Sequence, residues 1–484
     1  MRKIIPLWLT VFITFFSNSN VMGNQYGNVP QKITVSGKIE NYDSNQKIDL
    51  YANRIGFDPE KIVTKTDSVG NFEATFDSYI PLDAWVYYKK TLLFLVLLHP
   101  GDSLFVQFDG KYDDQLELLK SVDFKGNRAN TNRYATIFQQ MFYSDKNLQY
   151  DWLEDSKSIK DYNKNQYLQF LDTLQQKGNK LYDKFVAENN SDEESKKWAQ
   201  LFVENAFYQS FDFYLYHNRK AGTKLDTTWT VFYDRLCDAL PVEPSKYISA
   251  SSLWYLSKNL YSYIQNKFSD RELLSAIENF PDSLMRQIML TTYFNNYLEY
   301  EQSIVRYELD HDIADKYIKE TFLKEPLLQK YFQIKSRIEN PQIYTEAVLK
   351  EASNLSINQI VNDILQQNKG KVIYVDFWGT WCSPCLAEFP DSKIVEQELR
   401  GKDVVFVYIC LESAEKQWKA TLDKFQLGGQ HYFLSNKQSA EIRKLFEITG
   451  VPFYLLIDKN GVIRESGNHL RPLVAKNKIK EMLK

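Results

Sequence analysis

The sequence predicts a multidomain protein with an N-terminal small β-sandwich, a central all-α region and a C-terminal α/β domain. Three observations predict it. Glycine is unevenly spread: eight of 18 lie in residues 1–126, two (Gly178 and Gly222) in 127–352 and eight in 353–484. Proline agrees, with none between Pro100 and Pro241. Both residues punctuate turns and are poor in helix interiors, so the middle should be helical and the flanks turn-rich. The apolar period also changes, from two in the first flank to a helical spacing in the middle. Finally, a Cys-x-x-Cys stands where a strand gives way to a helix in the second flank. At 484 residues, about three domains are expected. The expected boundaries are 1–23 for a signal segment, 30–126, 127–352 and 353–484.

The first segment carries Arg2 and Lys3, then a 13-residue apolar stretch from Ile4 to Phe16 and the polar run Ser17 to Asn20. This is the pattern of a secretory signal. The stretch falls short of the ~20 residues that span a bilayer, and no later stretch is long and apolar enough. Cleavage fits after Ser19 or Gly23. It removes two cations and takes the net charge from −3 to −5. The mature chain is expected in the periplasm or cell envelope, with no stable membrane span. A weakly acidic chain also lacks the basic face of a general nucleic-acid binder, so no nucleic-acid partner is expected.

In the first flank, Ile33, Val35, Gly37 and Ile39 alternate as in a half-buried strand. Lys47 to Ile55 alternates less cleanly. Ile62 to Thr66 and Phe72 to Phe76 flank Asp67-Ser68-Val69-Gly70-Asn71, a hairpin signal. Leu92 to Leu98 is a continuous apolar run, and Leu104, Val106 and Phe108 follow the turn His99 to Asp102. Short strands with regular turns predict the sandwich. In the middle, Phe138, Met141 and Phe142, then Phe202, Ala206, Phe207 and Phe211, keep helical spacing. Breaks are expected at Pro241 and Pro244, Pro281 and Pro341, with Asp282 and Asn340 beside them as caps. Tyr293, Tyr297 and Tyr300 form a stripe read as helix packing. In the last flank, Lys371 to Phe377 and Val404 to Cys410 read as strands, each followed by a helix. A short strand at His431 to Leu434 and a helix from Ser439 to Glu447 come next. Phe453 to Ile457 and Val462 to Ser466 flank an Asn-Gly hairpin, and a helix closes the chain from Pro472.

The chain has four cysteines, too few for a disulfide-stapled scaffold. Cys382-Ser383-Pro384-Cys385 places a thiol at a helix start, where unpaired N–H groups and the helix dipole favour thiolate, the form that attacks disulfides. Pro384 suits a first helical turn. Cys385, one turn on, can resolve a mixed disulfide once it loses its proton. Asp376, near the end of the preceding strand, and Glu388, one turn past Cys385, are both candidates to take that proton. No second Cys or His pair has zinc-ligand spacing, so no metal is expected, and dithiol exchange needs no cofactor. Cys237 and Cys410 read as buried free thiols, and the five His as structural or surface residues.

Trp381-Cys382-Ser383-Pro384-Cys385, Glu388-Phe389-Pro390 and Val451-Pro452 together resemble the thioredoxin superfamily, in its TlpA/ResA-like exported thiol-disulfide oxidoreductase branch. The resemblance covers about the last quarter of the chain and implies a thioredoxin-like fold for it. It implies that Cys382 is the nucleophile and Cys385 the resolving thiol. It also implies that Pro452 is cis and that Trp381, Val451 and Pro452 meet the substrate chain. Asp376 matches the buried acid of thioredoxin and Glu388 the acid of the branch, so both roles stay open. Leu386 departs from the basic residue often found there. The branch's N-terminal hairpin is not evident before Lys371, and Ile357 to Gln367 reads as a helix instead. The three-part plan resembles large envelope redox proteins of Bacteroidetes-type bacteria. The expected function is reduction of disulfides in envelope proteins, served by a membrane electron donor. The alternative is an envelope binding or scaffold protein, recognising a glycan or protein, with a subordinate redox domain.

Overall fold

The computed structural model describes residues 28–89, 92–145, 148, 164–220, 229–299 and 303–484. The expected signal segment and Tyr300 lie outside the described residues. The described chain divides into two compact units, one of residues up to 292 with 316–324, the other of 293–315 with 325–484.

The first unit opens with two sheets. One is built from β1 (Gln31–Glu40), β4 (Thr64–Thr66), β5 (Asn71–Ser78), β8 (Ser103–Asp109) and β9 (Asp123–Gly126), in the order β4-β5-β1-β8-β9. The other contains β2 (Ile48–Ala52), β3 (Glu60–Ile62), β6 (Leu82–Tyr88) and β7 (Leu92–Leu98), in the order β3-β2-β6-β7. The alternation in β1 is a burial alternation: Ile33, Val35, Gly37 and Ile39 are all buried. Gly37 is required there, because a Cβ would lie 2.0 Å from the Val106 carbonyl oxygen. Rings join the sheets, with Phe108 of the first meeting Tyr88 and Phe94 of the second at 5.5 and 5.7 Å between centroids.

The helical part of this unit holds α1 (Gln115–Ser121), α2 (Ala129–Ser144), α3 (Lys164–Glu188), α4 (Glu193–Lys220), α5 (Trp229–Cys237), α6 (Ala250–Lys267) and α7 (Asp270–Glu278). Three further helices, α8 (Ser283–Glu299), α9 (Val305–Tyr317) and α10 (Thr321–Glu339), give residues to both units. Strand β7 ends its sheet, and α2 covers that edge. The Asn132 and Gln139 amides each donate to and accept from its backbone, at Leu97 and Leu95 respectively. This satisfies an edge that would otherwise template pairing with another chain. Phe138, Phe185 and Trp198 pack beneath it. Asp282 caps α8 by accepting from the Met285 N–H at 2.6 Å. Cys237 is free but only partly buried, a correction to the expected buried thiol.

The second unit carries one six-stranded sheet in the order β10-β13-β12-β11-β14-β15. Its strands are β10 (Ala347–Lys350), β11 (Val372–Trp378), β12 (Val404–Cys410), β13 (Gly429–Phe433), β14 (Phe453–Ile457) and β15 (Ile463–Gly467). Its helices are α11 (Ile357–Gln367), α12 (Ser383–Glu398), α13 (Glu415–Phe425), α14 (Asn436–Leu445) and α15 (Pro472–Leu483). Strands β11, β12 and β13 run parallel, whereas β14 is antiparallel to β11 and β15 to β14. Each face of the sheet has its own apolar core, one of them enclosing both active-loop cysteines. Ser356 and Gln359 form a capping box at the start of α11, where the chain reads as helical. Tyr293 is buried edge-to-face against Tyr297 at 5.2 Å, so the described part of the tyrosine stripe is packing.

Candidate active site

Strand β11 lies in the middle of the sheet and all its residues are buried. Side chains alternate along it, so Tyr374, Asp376 and Trp378 share one face. Across that face, Asp376 stands opposite Tyr408 on β12 and Tyr454 on β14. A carboxyl is thus set in a row of aromatic side chains. It is 1% exposed, and neither of its oxygens has a hydrogen-bond partner. Burial pushes its pKa well above the usual carboxylate range, and the charge of Glu388 pushes it further the same way.

Past β11, the loop Gly379-Thr380-Trp381 leads into α12. The Thr380 N–H donates to Ser413 Oγ at 3.0 Å, and the Trp381 indole N–H donates to the Glu412 carbonyl at 3.0 Å. Arg443 in turn grips the Glu412 carboxylate at 2.9 and 3.1 Å. These bonds fix the loop from below and leave Trp381 47% exposed above the cysteines. Cys382 is the N-cap of α12 and Pro384 occupies its first turn. Cys382 and Cys385 are joined in a disulfide, and the Cys385 N–H donates to Cys382 Sγ at 3.2 Å. Both residues are nearly covered, at 3% and 1% exposed. The Val451–Pro452 peptide bond is cis. Val451 is partly buried and packs on both faces' cores at the strand entrance.

Glu388 lies one turn beyond Cys385. It is not an isolated acid: its carboxylate forms an ion pair with Arg471, the residue just before α15. The Glu388 side chain is 13% exposed and that of Arg471 52%. The two acids that sequence reasoning left equivalent therefore differ. One is buried and unpartnered, the other charge-paired. Arg471 was missed because 83 residues separate it from Glu388, and no local pattern joins an N-capping arginine to a distant helix. Cys410 is buried, free and in register with Trp378, and burial raises its thiol to about 12. It stays a thiol. His431 is buried and stacked on Tyr408 at 4.9 Å, and its Nε2–H donates to the Gly428 carbonyl at 2.8 Å. Burial lowers its pKa to about 4, so it is a neutral structural residue. Among the described residues, no group of three or more His, Cys, Asp and Glu is placed to hold a metal ion.

A central sheet with a Cys-x-x-Cys disulfide at a helix start is similar in arrangement to the thioredoxin-like domains of thiol-disulfide oxidoreductases. Residues 370–463 match the family described as Thioredoxin-like. The thiol-disulfide oxidoreductase ResA of Oceanobacillus iheyensis is 28% identical over 120 residues, 24% of this chain and 61% of that protein. The ResA of Bacillus cereus is 27% identical over 142 residues, 29% of this chain and 76% of that protein. The chain thus spans less than two thirds of the Oceanobacillus relative. Among solved structures, the thioredoxin domain of a thiol-disulfide oxidoreductase from Bacteroides vulgatus aligns with a TM-score of 0.23 and 24% identity. That alignment covers 25% of this chain and 84% of that one. No helix among the described residues is long and apolar enough to cross a membrane.

Proposed function

We propose that this protein is an exported thiol-disulfide oxidoreductase that reduces disulfides of envelope proteins. The observation that carries the reading is the Cys382–Cys385 disulfide at the head of α12, on the sheet face where Asp376 is buried without a partner. In the reduced state, Cys382 thiolate attacks a partner disulfide. One partner sulfur leaves as thiolate, and a mixed disulfide forms at Cys382. Cys385 gives its proton to Asp376 carboxylate and attacks Cys382 Sγ. The second partner thiolate leaves and the domain's disulfide closes. The closed form described above corresponds to the end of this cycle, with the proton on Asp376. When an envelope electron donor reduces the disulfide, the proton returns to the departing Cys385 thiolate. Trp381 and the Val451–Pro452 edge receive the partner chain.

The first two regions, a β-sandwich built on the ring contacts around Phe108 and the helices after it, select or dock partners in this reading. Residues 1–23 direct export. The test compares disulfide reduction by the reduced full chain with that by Cys382→Ser. Loss of turnover in the variant is expected, and equal rates would overturn the reading.

A further inference from the structure

The ion pair between Glu388 and Arg471 sits beside an acid that the reading above uses for proton exchange. The groups facing Asp376 are Tyr374 on its own strand, Tyr408 and Tyr454 on the flanking strands, and Glu388 and the cysteines on α12. Of these, Tyr408 donates to Glu396 of α12 at 2.6 Å, and Tyr374 donates to the Leu470 carbonyl at 2.7 Å. That second bond ties the segment bearing Arg471 to the face of β11 that carries Asp376. Tyr454 stacks on Tyr374 at 5.6 Å, and its hydroxyl has no partner. Tyr454 pairs with Asp376 across the strands, so the ring stacked on Tyr374 flanks the buried acid on the side where Tyr374 holds the Leu470 carbonyl.

The pair is asymmetric. Arg471 is half in water and solvates cheaply when alone. Glu388 is mostly covered, next to a second carboxyl, and an unpaired charge there is costly. We propose that Arg471 is a positioning residue of the redox site: it holds Glu388 as a carboxylate and so reserves proton exchange with Cys385 for Asp376. The inference rests on the oxidoreductase reading for its consequence but not for its measurement. It predicts that Arg471 acts through Glu388 and not directly on Asp376.

The test is infrared titration of protonated carboxyl bands in the oxidised full chain. Asp376→Asn assigns the Asp376 band. In Arg471→Gln, a second protonated carboxyl band should appear at a pH at which the wild type shows only that of Asp376. It should be absent from the wild type, from Arg471→Lys and from Arg471→Gln/Glu388→Gln. Glu388→Gln should raise the ionised fraction of Asp376 at a fixed pH by ~10-fold, and adding Arg471→Gln should change it no further. An Arg471→Gln spectrum superposing on the wild type would overturn the proposal. So would a further shift of the Asp376 band in the double variant. The bands are read on the resting disulfide, so failure of Cys382 chemistry would sink the functional reading and leave these outcomes unmoved.

Discussion

Replacing Asp376 by Asn tests the buried acid through stability, independently of turnover. The wild-type carboxyl is 1% exposed with both oxygens unpartnered. Its folded-state pKa is raised, first by burial and then by Glu388. A carboxyl raised on folding stabilises the fold fully below its unfolded value, ~3.9, and that contribution is lost as pH rises through the folded value. Across this window the unfolded chain has released a proton that the folded chain keeps. Wild-type stability therefore falls with a slope of about 1.4 kcal/mol per pH unit. Asn has no proton to release. The stability of Asp376→Asn relative to wild type should rise by that slope over the same window. A constant offset of about 1–3 kcal/mol against the variant is expected, because its amide donors join Trp378 Nε1 in a pocket short of acceptors. The slope, not the offset, is the signature. Native-state hydrogen exchange at the amides of Val372–Trp378 measures it in the full chain without requiring the whole molecule to unfold at once. A pH-independent difference between variant and wild type would refute the argument that Asp376 is a buried neutral acid.

Other outcomes follow from the same structure. Asp376→Asn should slow closure of the domain's disulfide by at least ~10²-fold, measured as decay of the mixed disulfide in rapid quench; an unchanged rate removes Asp376 from proton exchange. Trp381→Ala removes an exposed indole and its bond to the Glu412 carbonyl, so the KM for a protein disulfide should rise while reduction of a small disulfide changes little; equal effects on both would argue against a docking role. His431, lowered by burial to about 4, contributes stability that is present above its ordinary value of ~6.5 and lost as pH falls through about 4. That loss amounts to about 3 kcal/mol at β12 and β13. In His431→Phe, exchange at those amides should lose this pH dependence, and retention of it would assign the effect elsewhere.

How much of this was legible depended on the range of the interactions. Strands β1, β7, β8, β11, β12 and β14 were readable because each carries its own apolar pattern. Strand β6 was not, because Asp83 interrupts it. That carboxylate is buried and accepts from Asn53, Ser249 and the Ser251 N–H and hydroxyl, partners up to 168 residues away. Strand β10 was also missed. Val348 and Leu349 are exposed, and the strand exists only through parallel pairing with β13. Within the site, Cys382, Pro384 and Cys385 were readable because helix-start chemistry is local. The environments of Asp376 and Glu388 were not, because they are set by Tyr454 and Arg471, which arrive from distant chain.

The central claim is that Cys382 attacks and Cys385 resolves. It is tested most directly by expressing Cys385→Ser in the native compartment and identifying what is covalently bound. The account predicts reducible mixed disulfides joining Cys382 to envelope proteins, absent from Cys382→Ser/Cys385→Ser. No trapped species, or the same species in the double variant, would contradict it.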